Sequence, residues 1–361
     1  MCENELINAS RPPKNITHEQ SVLEGLQYAT YQVVLPIIFI LGIIGNILNI
    51  MVFLKGRFRH TLDEVEKCAA AGLVALAISD LLFCTIGLPA PFLSRYAVNR
   101  RPESVLGIMA LYYSTYKTPL VNIFLFNSSW LIVVISVERY LAVCFPFRAR
   151  WRTRVWKTVV VAIIVFLISI IFNIPGFLRY KIERILCPNH YYFYFVMFSS
   201  FYQKRVFRET YRIMWFIFGT LVPLLIMSFC NSRLLMEIYR SRKLQTERQK
   251  QRYCTSKITL ILVSIVILYF LCVCPSTTLG FLVETIGRMG DTKTYFGYQI
   301  ALVIFNLTQA VYFAGNFALY CSVSRPFRDS VGLQLFCKRS TLRSTSEPKN
   351  PKADYRLVVM R

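Results

Sequence analysis

The residues best placed for charge chemistry are in the run Val137-Glu138-Arg139-Tyr140-Leu141-Ala142-Val143-Cys144-Phe145-Pro146. There an apolar stretch, 120–137, passes directly into an acid, a guanidinium and a phenol, with Arg148, Arg150, Arg152 and Arg154 following. A lone basic side chain at such a border can simply carry its head into the interface. An acid and a tyrosine beside the arginine weaken that plain reading. A second polar set lies inside apolar runs: Asn46 after Gly45, Asp80 within Leu76-Ala77-Ile78-Ser79-Asp80-Leu81, Ser128 and Asn316. Buried amides and carboxylates are costly in hydrocarbon and find partners, so this set reads as a structural clasp, an ion- or water-filled switch site, or both. No Gly-rich phosphate loop, zinc-type histidine spacing or nucleophile elbow occurs, and the three histidines, His18, His60 and His190, are scattered. Neither enzymatic activity nor a cofactor is expected.

The elements that would position these residues are set by composition. The chain has 361 residues, 55% of them apolar and only 17% charged, which is a membrane-protein balance. Apolar windows long enough to cross hydrocarbon occur at 31–54, 68–93, 109–137, 156–178, 213–232, 257–283 and 298–321. The predicted fold class is an all-α membrane protein, a seven-transmembrane helix bundle, with the two termini on opposite sides. The net charge of +23 would suit nucleic acid, but the bases sit in short segments between apolar runs, so no nucleic-acid partner is expected. With the N-terminus outside, segments 55–67, 139–157, 233–257 and 325–361 hold 27 of the 42 Lys and Arg. That is the positive-inside arrangement, and these bases would also meet anionic membrane lipids.

Of eleven cysteines only Cys2 and Cys187 fall on the outer side. They pair with each other, or Cys187 stays free, or it links two chains. Sequons at Asn8-Ala9-Ser10 and Asn15-Ile16-Thr17 lie in the outer tail and are candidate glycosylation sites, whereas the triplets at Asn127 and Asn306 lie inside spans. The tail lacks the apolar core of a cleavable signal, so the first span is expected to target the chain. Pro223 and Pro275 each remove a helix hydrogen bond and bend their spans. The loop between the fourth and fifth spans carries Tyr191-Tyr192-Phe193-Tyr194-Phe195, either an interfacial aromatic belt or a strand-like lid. Glu284, above Pro275, reads as a surface carboxylate or as a partner for a cationic ligand group. Lys117 and Asn122 lie in the outer half of the third span.

Taken in order, Gly45-Asn46, Leu76-Ala77-x-x-Asp80, Glu138-Arg139-Tyr140 with Pro146 seven residues on, Cys272-Val273-Cys274-Pro275 and Asn316-Phe317-x-x-Tyr320 resemble the helix signatures of rhodopsin-like (class A) G-protein-coupled receptors. The combination of Asn173-Ile174-Pro175, Asn231 with a following Arg-Leu, the missing Trp before Pro275 and the missing Pro after Asn316 resembles FMRFamide-receptor-like invertebrate neuropeptide receptors. The resemblance implies a receptor in the plasma membrane, opened by an extracellular peptide and coupled to a heterotrimeric G protein, with arrestin and receptor kinases as further partners. It implies that Glu138 holds Arg139 at rest, and that Tyr140, Pro275, Asn316 and Tyr320 take part in the switch. It places Asp80 with Ser128 and Asn316 in a sodium pocket, although Tyr312 stands where relatives usually have Asn.

Three departures narrow the expectation. Val121 replaces the Asp of amine receptors, Ser114 replaces the cysteine that would bind Cys187, and Thr255 replaces the helix-6 acid of an interhelical lock. The candidate ligand contacts are Lys117, Asn122, Tyr192 and Glu284. The expected organisation is an extracellular tail over 1–30, the receptor bundle over 31–321, an amphipathic helix over 322–337 ending at Cys337, a palmitoylation position, and a disordered cytoplasmic tail over 338–361. A lipid or acidic small-molecule ligand is the alternative. A retinal pigment is excluded because 295–322 has no Lys. A seven-helix transporter lacks an inverted repeat or a second acidic relay residue.

Overall fold

The computed structural model describes residues 18–55, 62, 64–97, 105–145, 154–186, 192–243, 255–286 and 292–336. Among them, seven helices are long and apolar enough to cross a membrane. Helix α1 runs as His18–Tyr28, a π-turn at Ala29–Val34 and Leu35–Leu54. Then come α2 (Glu64–Gly87), α3 (Val105–Cys144) and α4 (Val155–Phe177). Helix α5 begins as Arg205–Phe216, passes a π-turn at Ile217–Leu221 and continues as Val222–Lys243. Helices α6 (Thr255–Ile286) and α7 (Thr292–Val323) complete the bundle, and α8 (Arg325–Phe336) follows. Hydrocarbon offers no partner to a free backbone N–H or C=O, which is why every long apolar run is helical.

Two helices start furthest ahead of their apolar windows: α1 is helical from His18, and α5 starts at Arg205, eight residues before the window that began at 213. The segment after α4 folds as an antiparallel hairpin, β1 (Tyr180–Leu186) with β2 (Tyr192–Phe198), in register from Tyr180 opposite Phe198 to Leu186 opposite Tyr192. The aromatic run thus takes a strand-like form. At the base of the hairpin the Arg179 guanidinium lies 5.2 Å from the Tyr180 ring, 5.9 Å from Phe198 and 5.0 Å from Tyr202.

The close packing of α1 on α7 rests on glycine. A Cβ at Gly45 would stand 2.9 Å from Phe317 Cβ, and one at Gly42 would stand 2.7 Å from Cys84 Sγ and 3.0 Å from Ala314 Cβ. Small residues let helix backbones approach where lipid supplies no hydrophobic drive. Helix α4 is the complement. Its fully buried residues are Thr158, Ser169 and Asn173, while Val159, Val160, Ile163, Ile164, Leu167, Ile168 and Ile171 are exposed. It turns its polar groups to the bundle and its aliphatic face outward, the arrangement a lipid-facing helix requires. At the end opposite the hairpin, Phe327 of α8 is fully buried and packs 5.5 Å from Phe53 and 5.6 Å from Tyr320.

Candidate functional site

The polar residues inside the spans converge. Asp80 is fully buried on α2; its Oδ1 accepts from the Ser128 hydroxyl of α3 at 3.1 Å and its Oδ2 from Asn316 Nδ2 of α7 at 2.6 Å. Asn46 donates to the carbonyls of Gly42 and Phe313, both at 3.0 Å, and so ties α1 to α7. Asn127 donates to Ser79 at 3.0 Å, and Ser79 to the Phe124 carbonyl at 3.2 Å. Four helices are thereby fastened through groups that would be expensive to bury singly.

A hard cation such as sodium would need several oxygens open to one cavity. Here each carboxylate oxygen accepts one side-chain donor and keeps a second lone pair, and Asn316 Oδ1 is buried with no hydrogen-bond partner among the described residues. The fully buried Tyr312 ring lies 5.8 Å from Tyr269 and 5.0 Å from Phe313. The described residues bring no three His, Cys, Asp or Glu together in a metal-ligand group.

Around the bend at Pro275, Val273 is fully buried. Hydroxyls bond to carbonyls beside the proline: Thr277 donates to Val273 O, four residues back on its own helix, at 3.1 Å, and Thr308 of α7 to Cys272 O at 3.4 Å. On the inner side of the bend the Tyr269 and Ser129 hydroxyls are 2.8 Å apart, joining α6 to α3. On the outer side Ser276 donates to Asn306 Oδ1 and to Gln309 Oε1, both at 3.2 Å, and Asn306 Nδ2 donates to the Tyr31 hydroxyl at 3.1 Å. Sequence reasoning passed over Tyr269, Ser276, Asn306, Gln309 and Thr158 because hydroxyls and amides on separate spans give no local signal of meeting.

At the end opposite the hairpin the expectation of a Glu138–Arg139 pair is corrected. Arg139, 1% exposed, donates through a terminal guanidinium nitrogen to the Val65 carbonyl of α2 at 3.1 Å. Glu138 Oε1 accepts from the Thr158 hydroxyl of α4 at 2.9 Å, and no Glu138–Arg139 salt bridge occurs among the described residues. Consecutive side chains on a helix diverge by about 100° and do not face each other. Each therefore finds a different neighbour. Tyr140 packs edge-on to Phe145 at 5.7 Å and Phe229 at 5.9 Å. Tyr320 is 1% exposed between Phe53 and Phe327.

At the hairpin end Lys117 and Asn122 are half-buried on α3, and Tyr192 sits 47% exposed at the hairpin tip with Arg184 5.1 Å over its ring. Ser114 donates to the Leu111 carbonyl at 2.9 Å. Glu284 belongs to α6, but its side chain lies outside what is described, as do Cys2, Asn8, Asn15, Cys187 and Cys337. A cavity of about 360 Å³ between α3, α4 and α5, lined by Phe126, Trp130, Val165, Phe172, Met214 and Phe218 among others, carries no charge and sits apart from both charged ends. Beside it the Trp130 indole donates to the Phe218 carbonyl at 3.0 Å, in the α5 π-turn that precedes Pro223.

Seven spans, a polar core that ties them together, a proline-bent sixth helix and a sequestered arginine at one end define a seven-helix membrane receptor. Residues 45–312 match the sequence profile described as "7 transmembrane receptor (rhodopsin family)". The chain belongs to that family, and it is a multi-pass membrane protein. It is also similar, with 25% identity over 351 residues, to a Caenorhabditis elegans protein named "Probable G-protein coupled receptor AH9.1"; the similarity covers 91% of this chain and 80% of that protein.

Proposed function

We propose that this receptor is opened by an extracellular peptide, FMRFamide-like in class, and passes the signal to a heterotrimeric G protein at the plasma membrane. The observation that carries the reading is the state of Arg139. A full positive charge stands 1% exposed at the end of α3, held to a backbone carbonyl of α2 at 3.1 Å. A guanidinium bonded to a carbonyl is easily traded for another acceptor, and an incoming helix C-terminus offers several.

The hairpin end faces outside and the Arg139 end faces the cytoplasm, in keeping with the bases concentrated in 55–67, 139–157, 233–257 and 325–361. Peptide enters the cleft among α3, α5, α6 and α7, where Lys117, Asn122 and Glu284 stand as contacts, beneath the hairpin that carries Tyr192. Its binding favours a conformation in which α6 swings about Pro275, by no more than its differential affinity for the two states. Asn316 and Tyr320 shift with α7, and Arg139 moves from Val65 to the G protein. Arrestin and receptor kinases act on the segment after Cys337, which is palmitoylated. Asn8 and Asn15 carry glycans, and Cys2 pairs with Cys187.

Agonist-driven nucleotide exchange on purified Gα tests the reading. Arg139→Ala is expected to abolish it while leaving peptide binding in place. Undiminished exchange in that variant would overturn the proposed mechanism.

A further inference from the structure

We propose that the outer face of α5 around Arg208 and Arg212 is a carboxylate-receiving subsite of the ligand cleft; this rests on the reading of that cleft as the ligand-entry side. The first segment of α5, Arg205–Phe216, carries three arginines and a single glutamate. Arg208 and Arg212 are four residues apart and share a face. Further along that face come Trp215 and Phe216, half-buried, and Gly219, buried, so the face turns into the bundle while Val206, 80% exposed, looks away.

Glu209 serves two guanidinium groups at once. One of its carboxylate oxygens lies 3.7 Å from Arg208 Nε and the other is ion-paired with Arg212. Among the described residues one carboxylate is thus ion-paired with two guanidinium groups. Nε of Arg208, and Nε and one terminal nitrogen of Arg212, are buried N–H donors with no hydrogen-bond acceptor among the described residues. The Arg212 guanidinium sits 5.2 Å over the Phe281 ring of α6, and Phe281 stacks on Phe216 at 4.5 Å. The cation thus lies where the outer ends of α5 and α6 meet, partly dehydrated and with open donors.

A further cation stands on α3 near the Tyr211 side chain. A Cβ at Gly176 would stand 3.1 Å from Pro119 Cβ and 3.5 Å from the Tyr211 hydroxyl, so the tyrosine reaches across to the turn of α3 that carries Lys117 and Pro119. Lys117 is half-buried there and has no ion-pair partner among the described residues.

Open guanidinium donors in a fixed fork match a carboxylate, which accepts two of them side by side. That group comes from an Asp or Glu side chain of the peptide or from a free C-terminus. An amidated C-terminus has no carboxylate to offer. An FMRFamide-like ligand reaches this subsite only through an acidic residue elsewhere in its sequence.

The full-length receptor in lipid nanodiscs is titrated, at constant ionic strength, with three small probes while its thermal unfolding is followed. N-acetyl-aspartic acid amide presents a side-chain carboxylate, N-acetylglycine a C-terminal one, and N-acetylglycine amide none. At least one acid is expected to raise the unfolding midpoint saturably and the uncharged probe not to; the stronger acid identifies the source. Arg212→Gln is expected to weaken that response about 10- to 100-fold, the loss of a hydrogen bond to a charged group. Arg212→Lys should retain part of it. Lys181→Gln, which removes an exposed hairpin base paired with Glu183, should leave it unchanged. A midpoint that neither acid moves, or a response in both Arg212→Gln and Arg208→Gln as large as the parent's, overturns the subsite. A receptor that binds the acids but never drives nucleotide exchange would sink the signalling reading and leave the subsite standing.

Discussion

The Thr158 hydroxyl of α4 donates to Oε1 of Glu138 on α3 at 2.9 Å. Arg139, the next residue, donates to the α2 backbone at Val65. The inner end of α3 is pinned on two sides, by its acid to α4 and by its base to α2. A charge-assisted hydrogen bond of this kind contributes about 1.5–3 kcal/mol. If the open form does not use it, that energy belongs to the resting form alone. Thr158→Val is expected to raise ligand-free nucleotide exchange by about tenfold or more, and Glu138→Gln, whose amide oxygen is a weaker acceptor, by less. Basal exchange equal to the parent in Thr158→Val would mean that the bond persists in both states.

The Asp80 cluster makes a second, separate case. Ser128 and Asn316 each donate to one Asp80 carboxylate oxygen, so two hydrogen bonds already stabilise that group. Replacing sodium by choline at constant ionic strength is expected to leave both the unfolding midpoint and agonist affinity where they were. A sodium-dependent shift that disappeared in Asp80→Asn would show that the ion enters after all.

What the chain discloses before folding, and what it withholds, follows from the range of each signal. Seven spans are legible because about 20 apolar residues in a row have one stable form in hydrocarbon. Asn46, Asp80, Ser128 and Asn316 are legible because a lone polar group in such a run has to meet another. The partner is harder. Thr158 lies 20 positions from Glu138 and 19 from Arg139, and nothing local says which of the two it will bind. Arg208 and Arg212 are illegible for a different reason: the first turns of α5, which begins at Arg205, are too polar to register as span and read in the sequence as loop.

Gly45 offers a stability test free of any assumption about signalling. A methyl there would stand 2.9 Å from Phe317 Cβ, an atom fixed to the α7 backbone that no rotamer change can withdraw. Helices α1 and α7 would have to separate, and the Asn46 bond to the Phe313 carbonyl at 3.0 Å would stretch with them. Gly45→Ala is expected to cost about 1–3 kcal/mol, the usual range for overpacking a close contact. Thermal unfolding of the detergent-purified receptor measures it. Gly280→Ala is the control, since a Cβ there meets nothing within 4 Å.

Tyr269 and Ser129 give the most direct handle on the bend. Their hydroxyls are 2.8 Å apart and join α6 to α3 six residues inward of Pro275, about 9 Å along the helix. A swing of the inner half of α6 about that proline has to lengthen or break this contact. Tyr269→Phe removes one hydroxyl and leaves the ring packed on Tyr312 at 5.8 Å. Ser129→Ala removes the other; in the parent Ser129 also bonds the Leu125 carbonyl at 2.9 Å, so that hydroxyl retains a partner in Tyr269→Phe. Each single change should weaken the resting form by about 1 kcal/mol and raise ligand-free exchange accordingly. The double variant should go no further than the larger single one, because the two hydroxyls make one bond between them. If both variants instead lose thermal stability with basal exchange unaltered, the contact fastens the bundle in every state and the hinge does not act through it.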